Sequence, residues 1–169
     1  YKLSMESDSD FKSVYTYTGG TLSISKSYVS GKFGNAIQFT NPGHYISNAG
    51  NRYNGCVMQF KTDELDVGNE KLTMLDIMRD TQNISMWVHT PKTVDHGNGA
   101  AESRTLEFIF EYSKTSGNAK FSKKIQLPNT GDWAYITIPV SDFKSGSLSM
   151  DTEIQSEDFT AITQMTVSF

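Results

Sequence analysis

The sequence has one cysteine, Cys56, in 169 residues, so no internal disulfide can form. A lone thiol and three histidines at no ligand spacing (His44, His89, His96) exclude a zinc cluster. Charge is scarce, with 15 basic and 19 acidic residues and a net charge of -4. That lacks the cationic footprint of a nucleic-acid binder. Apolar runs are only a few residues long, against the roughly 20 needed by a membrane-spanning helix. No stretch of about 15 residues carries helical periodicity. There is no Gly-x-Ser-x-Gly elbow for a nucleophile. The glycines of 30–35 lie between strand-like segments and open no helix, so they make no phosphate cradle. Cys56 lies within an apolar strand-like run, which reads as an inert buried thiol.

What is abundant points one way. There are 20 Ser, 17 Thr and 13 Gly, and aromatics reach 12%, with 8 Tyr, 10 Phe and 2 Trp. Short alternating segments separated by turn residues are the pattern of a β-sandwich or barrel. Strands are expected at 11–18, 21–27, 36–40, 56–61, 84–90, 105–112, 121–127, 133–140 and 161–169. Segment 71–78 reads as strand or helix. The charged segment 62–71 reads as a loop, and 91–104 as a long polar loop. The expectation is one all-β domain over 1–169: a β-sandwich of two antiparallel sheets with jelly-roll topology.

Jelly rolls of this size include polysaccharide hydrolases and lyases. Glycoside hydrolysis needs two carboxylates about 5–9.5 Å apart. Glu107 and Glu111 share a strand face, but four residues at about 3.3 Å each place them roughly 13 Å apart. A pair from neighbouring strands stays open, as does an interaction sandwich with no sugar ligand. The latter expects an exposed apolar patch.

Four stretches, in order, resemble carbohydrate-binding modules with the galactose-binding-like jelly roll, of the β-glucan-binding family 11 and family 30 type. They are Val29-Ser30-Gly31-Lys32-Phe33-Gly34-Asn35-Ala36-Ile37, Ile84-Ser85-Met86-Trp87-Val88, the stretch from Gly131 to Phe143 (GDWAYITIPVSDF), and Phe159-Thr160-Ala161-Ile162-Thr163-Gln164-Met165. The resemblance implies a non-catalytic module that binds a plant cell-wall polysaccharide, β-glucan first, in a shallow aromatic-lined groove. It also implies a secreted monomer, covalently linked to catalytic or scaffold modules, with neither nucleic acid nor membrane as partner. The chain opens at Tyr1 without methionine, which reads as a domain of a longer protein. Family members carry one further strand beyond the segment that ends here at Phe169.

A sugar ring has an apolar C–H face on which aromatic rings stack, and a hydroxyl rim that polar side chains take. Tyr15 and Tyr17 share a strand face about 6.6 Å apart. Tyr45 and Tyr53 flank a polar loop and could rim a cleft. Glu107 and Glu111 lie opposite the Leu106/Phe108/Phe110/Tyr112 face, as hydroxyl acceptors or as ordinary solvated glutamates. Trp87 and His89 share a face that either enters the core or lines the groove. Arg79 and Arg104 are loop-adjacent candidates for hydroxyl contacts. Tyr28 and Tyr112 read as packing residues. Trp133 resembles the family's structural tryptophan and is expected in the core. The resemblance also implies a structural calcium ion, with Glu6 as its acid and carbonyls of the turn near Lys32 and Asn35 as further ligands.

Overall fold

A computed structural model of the chain describes residues 5, 7–18, 25–40, 54–92 and 105–168. Among them run β1 (Phe11–Thr18), β2 (Ser25–Gly31), β3 (Gly34–Thr40), β4 (Asn54–Phe60), β5 (Leu65–Val67), β6 (Glu70–Leu72) and β7 (Asn83–His89). They continue as β8 (Thr105–Lys114), β9 (Gly117–Gln126), β10 (Trp133–Pro139), β11 (Lys144–Ser145), β12 (Leu148–Ser149) and β13 (Phe159–Ser168). Two short helices, α1 (Met74–Asp80) and α2 (Met150–Glu153), join them. Seven strands form one sheet in the order β1-β4-β13-β8-β9-β11-β12, and β7 pairs with β10, β2 with β3, and β5 with β6. Every pairing is antiparallel. The expected all-β jelly-roll sandwich is the architecture found.

Period-two alternation builds the core. On β8, Leu106, Phe108, Phe110 and Tyr112 are buried, and they pack with Phe60 of β4, Phe121 of β9, and Met165 and Val167 of β13. The second layer comes from Ile84, Met86 and Val88 of β7 and Ile136 and Ile138 of β10, which pack onto the same cluster. The two sheets therefore meet through their inner faces, and their outer faces look in opposite directions. Tyr112 lies between Phe121 and Phe159, nearly parallel to both, with ring centroids 4.6 and 4.5 Å away.

Segment 71–78 resolves as a helix. Met74, Leu75, Ile77 and Met78 are buried on one face, and Thr73 caps the first turn. The Thr73 hydroxyl accepts from the Asp76 N–H at 3.2 Å, and the Asp76 carboxylate accepts from the Thr73 N–H at 2.8 Å. This reciprocal box satisfies two otherwise orphaned donors. Segment 62–71, expected as a loop, instead holds the small β5–β6 hairpin, because Leu65, Val67 and Leu72 turn partly inward between its charged residues.

The Gly-rich stretch is a β-hairpin. Gly31 pairs with Gly34, which leaves Lys32 and Phe33 as a two-residue turn. Gly34 has φ of 106°, in the region that only glycine adopts freely. A Cβ on Gly31 would stand 2.7 Å from the Ala36 Cβ, so that position needs glycine for space.

Candidate functional site

The outward face of the seven-stranded sheet is read from its register. One row runs Tyr15, Val57, Ser168, Glu107, Lys124 across β1, β4, β13, β8 and β9. The next runs Ser13, Gln59, Thr166, Ile109, Ser122, and beyond it Gln164, Glu111 and Lys120 stand side by side. The middle of this face is sheltered, because Val57 and Thr166 are buried although they point away from the core. Tyr15, at one flank, is 47% exposed.

Polar groups on this face are ordered by their neighbours. The Ser13 hydroxyl donates to Gln59 Oε1 at 2.6 Å, and Gln164 Nε2 donates to the Thr166 hydroxyl at 3.0 Å. Glu107 stands 3.9 Å from Lys124 Nζ. Glu111 lies in register with Lys120, so each acid on the face has a base beside it. The face thus combines a ring, carboxylate and amide acceptors, and ammonium donors, with its charges balanced.

The structure brings Tyr15, Glu107 and Glu111 onto this one face. Tyr17 lies two positions along β1 from Tyr15, in register with Gly55. Tyr45, Tyr53, Arg104 and Glu6 lie outside the described residues. Trp87 and His89 do not join this face. They stand on the outer side of β7, on the opposite side of the sandwich, so one groove cannot hold all the candidates. Tyr112 is core and Cys56 is buried, as expected. Tyr28 donates its hydroxyl to Asp8 Oδ1 at 2.6 Å.

Arg79 is held by the fold. Its Nε donates to the Ile154 carbonyl at 2.9 Å and its guanidinium NH2 to the Phe159 carbonyl at 3.4 Å, tying α1 to the segment between α2 and β13. It lines a cleft of about 290 Å³ with Asp151 and Gln155.

Trp133 departs from expectation. It stands half-buried on the outer face of β10, opposite His89, rather than in the core. The inward places on β10 belong to Ala134, Ile136 and Ile138, and alternation sends Trp133 and Tyr135 outward. Tyr135 and Phe33 were missed as site candidates. The spacing Trp133-x-Tyr135-x-Thr137 against an Ile136/Ile138 face was the signal for the first. No periodicity marks Phe33, which stands at a hairpin tip.

Glu6, the acid of the calcium site that the resemblance implies, lies outside the described residues. Lys32 places its ammonium 4.2 Å from the centre of the Trp87 ring. Asp8 already accepts from Lys26 Nζ at 2.5 Å and from Tyr28. The Lys26 bond, followed by the Tyr28 bond, holds the Asp8 carboxyl below its ordinary value, whereas burial and then Asp8 push the Tyr28 phenol up. Among the described residues no three His, Cys, Asp or Glu side chains gather as a metal-binding group.

No protein-family model matches the sequence, and no characterised protein matches it by sequence. Solved structures do match by shape. The family 11 carbohydrate-binding module from Clostridium thermocellum, in complex with a β-1,3-1,4-mixed-linked tetrasaccharide, superimposes with a TM-score of 0.50 at 18% identity, over 92% of this chain and 78% of that one. The same family's module from a cellulosomal cellulase of that organism gives 0.49 at 18% identity, over 92% and 77%. The chain therefore has the β-jelly-roll fold seen in the family 11 carbohydrate-binding modules.

Proposed function

We propose that this chain is a non-catalytic carbohydrate-binding module that holds a β-glucan chain on the outward face of its seven-stranded sheet. The observation that carries the reading is the convergence of Tyr15, Glu107 and Glu111 on one sheltered face, beside the amides of Gln59 and Gln164. The Tyr15 ring takes a sugar C–H face, and the glutamates and amides take hydroxyls. Balanced charge suits a neutral polysaccharide, because no unpaired carboxylate or ammonium has to be desolvated by an uncharged ligand. The mixed-linkage ligand of the similarly folded module supports β-glucan as first choice. The same reading has the chain working outside the cell, as a monomeric domain joined to a glycoside hydrolase or scaffold that it brings to the polysaccharide.

Affinity electrophoresis on mixed-linkage β-glucan, xyloglucan, cellulose, mannan, xylan and pectin tests this. The expected result is retardation by mixed-linkage β-glucan, weakened by Tyr15→Ala. Absence of retardation on every β-glucan overturns it.

A further inference from the structure

The opposite sheet carries a second unusual surface. On the outer side of the β7–β10 pair, Ser85, Trp87 and His89 stand in register with Thr137, Tyr135 and Trp133. Trp87 and Tyr135 have ring centroids 5.1 Å apart at 46°, and His89 and Trp133 lie 5.4 Å apart at 56°. The β2–β3 hairpin adds Phe33, 5.7 Å from Trp87 at 60°. Phe33 is 67% exposed, Tyr135 58% and Trp87 36%. These rings are not needed for the core, which the other side of the same strands supplies. The remaining positions of the pair are Ser85, which donates to Thr137 at 3.1 Å, and Asn83 opposite Pro139.

Its charge differs from that of the seven-stranded sheet. There Lys114, Lys123 and Lys124 each face a carboxylate. Lys32 has no such partner among the described residues, and its ammonium rests over the Trp87 ring. At the far end, His89 Nε2 bonds the Gly131 carbonyl at 3.1 Å. Lys92 also packs near Gly131, and Asp132 is the acid of that loop. The Phe33–Trp87 end is thus the positive one. A ligand stacked on Trp87 meets an ammonium that, among the described residues, is held by a cation–π contact.

We propose that this face is a second glycan-binding surface, for a β-linked chain bearing uronic-acid carboxylates. The rings stack on successive C–H faces, and Lys32 pairs with the carboxylate of the sugar over Trp87. Tilts of 46–60° leave no common plane, so the surface takes one twisted chain rather than a flat crystalline array. Because the two outer faces look in opposite directions, both can be occupied at once, and the domain can bridge an acidic chain and a neutral one.

The test is titration of the folded chain with glucuronic-acid-substituted xylan, with its carboxyl-reduced form and with mixed-linkage β-glucan. Circular dichroism checks that each variant is folded. The double variant Trp87→Ala, Tyr135→Ala is expected to lose at least tenfold affinity for the acidic xylan and to keep its β-glucan affinity. Lys32→Gln is expected to lose severalfold on the acidic xylan, nothing on the reduced form, and the salt dependence of the wild type. Wild type that ignores the acidic xylan overturns the proposal, as does a double variant that binds it unchanged. Equal loss on acidic and reduced forms in Lys32→Gln also overturns it. None of these results bears on β-glucan binding, which Tyr15→Ala tests separately.

Discussion

The Glu107 carboxylate stands 3.9 Å from the Lys124 ammonium across the β8–β9 pair, on the side of the sheet that faces away from the core. Lys124 is largely exposed, so the pair contributes only about 0–1 kcal/mol to stability. Its arrangement matters more for binding, because it holds a carboxylate in place without burying it. Glu107→Gln is expected to melt within a degree or two of the wild type. Hydrogen bonds to charged groups are worth about 1.5–3 kcal/mol. Its β-glucan affinity, read by isothermal titration, should therefore fall roughly tenfold or more.

Arg79 should behave in the opposite way. Its donors bond the Ile154 and Phe159 carbonyls, which hold α1 against the start of β13. Arg79→Ala is expected to cost about 1.5–3 kcal/mol in urea unfolding. Glycan affinity of the folded fraction should not change.

The core depends on aromatic contacts between layers. Phe143 is fully buried and meets Phe110 edge-on at 5.2 Å and Phe108 at 6.2 Å. Phe143→Ala leaves a cavity where both rings lose a partner, at a cost of about 3–5 kcal/mol. Unfolding in urea or guanidinium measures it.

The α1 cap carries a pH signature. The hydroxyl of Thr73, followed by its backbone N–H, holds the Asp76 carboxyl below its ordinary value of 3.8. A depressed folded pKa means that this contribution is present above the unfolded value and is lost as pH falls through the folded one. Thr73→Ala should cost about 1 kcal/mol at neutral pH. Asp76→Asn should flatten the stability curve below about pH 4, as read by thermal melts across an acid series.

Much of the fold was legible because alternation is a local signal. Leu106, Phe108, Phe110 and Tyr112 announced their burial, and Glu107 and Glu111 their outward face, before any partner strand was known. The 71–78 segment was ambiguous because an apolar run fits either period, and the Thr73–Asp76 box decided it. Trp133 was misplaced because a resemblance outweighed its own alternation with Ala134 and Ile136. The division of the candidates between two faces was not legible, because it depends on which strands share a sheet. Nothing local tells that β7 pairs with β10 while β8 lies between β13 and β9. Tyr15 and Trp87 therefore looked equally fit for one groove.

The most direct measurement is a titration of mixed-linkage β-glucan oligosaccharide into the wild-type chain and into Tyr15→Ala and Glu107→Gln. Chemical-shift perturbation in the same samples locates the ligand. The account predicts saturable binding, shifts centred on β1, β8 and β13, and roughly tenfold weaker binding in each variant. Binding that leaves those strands unperturbed, or variants that bind as tightly as the wild type, would contradict it.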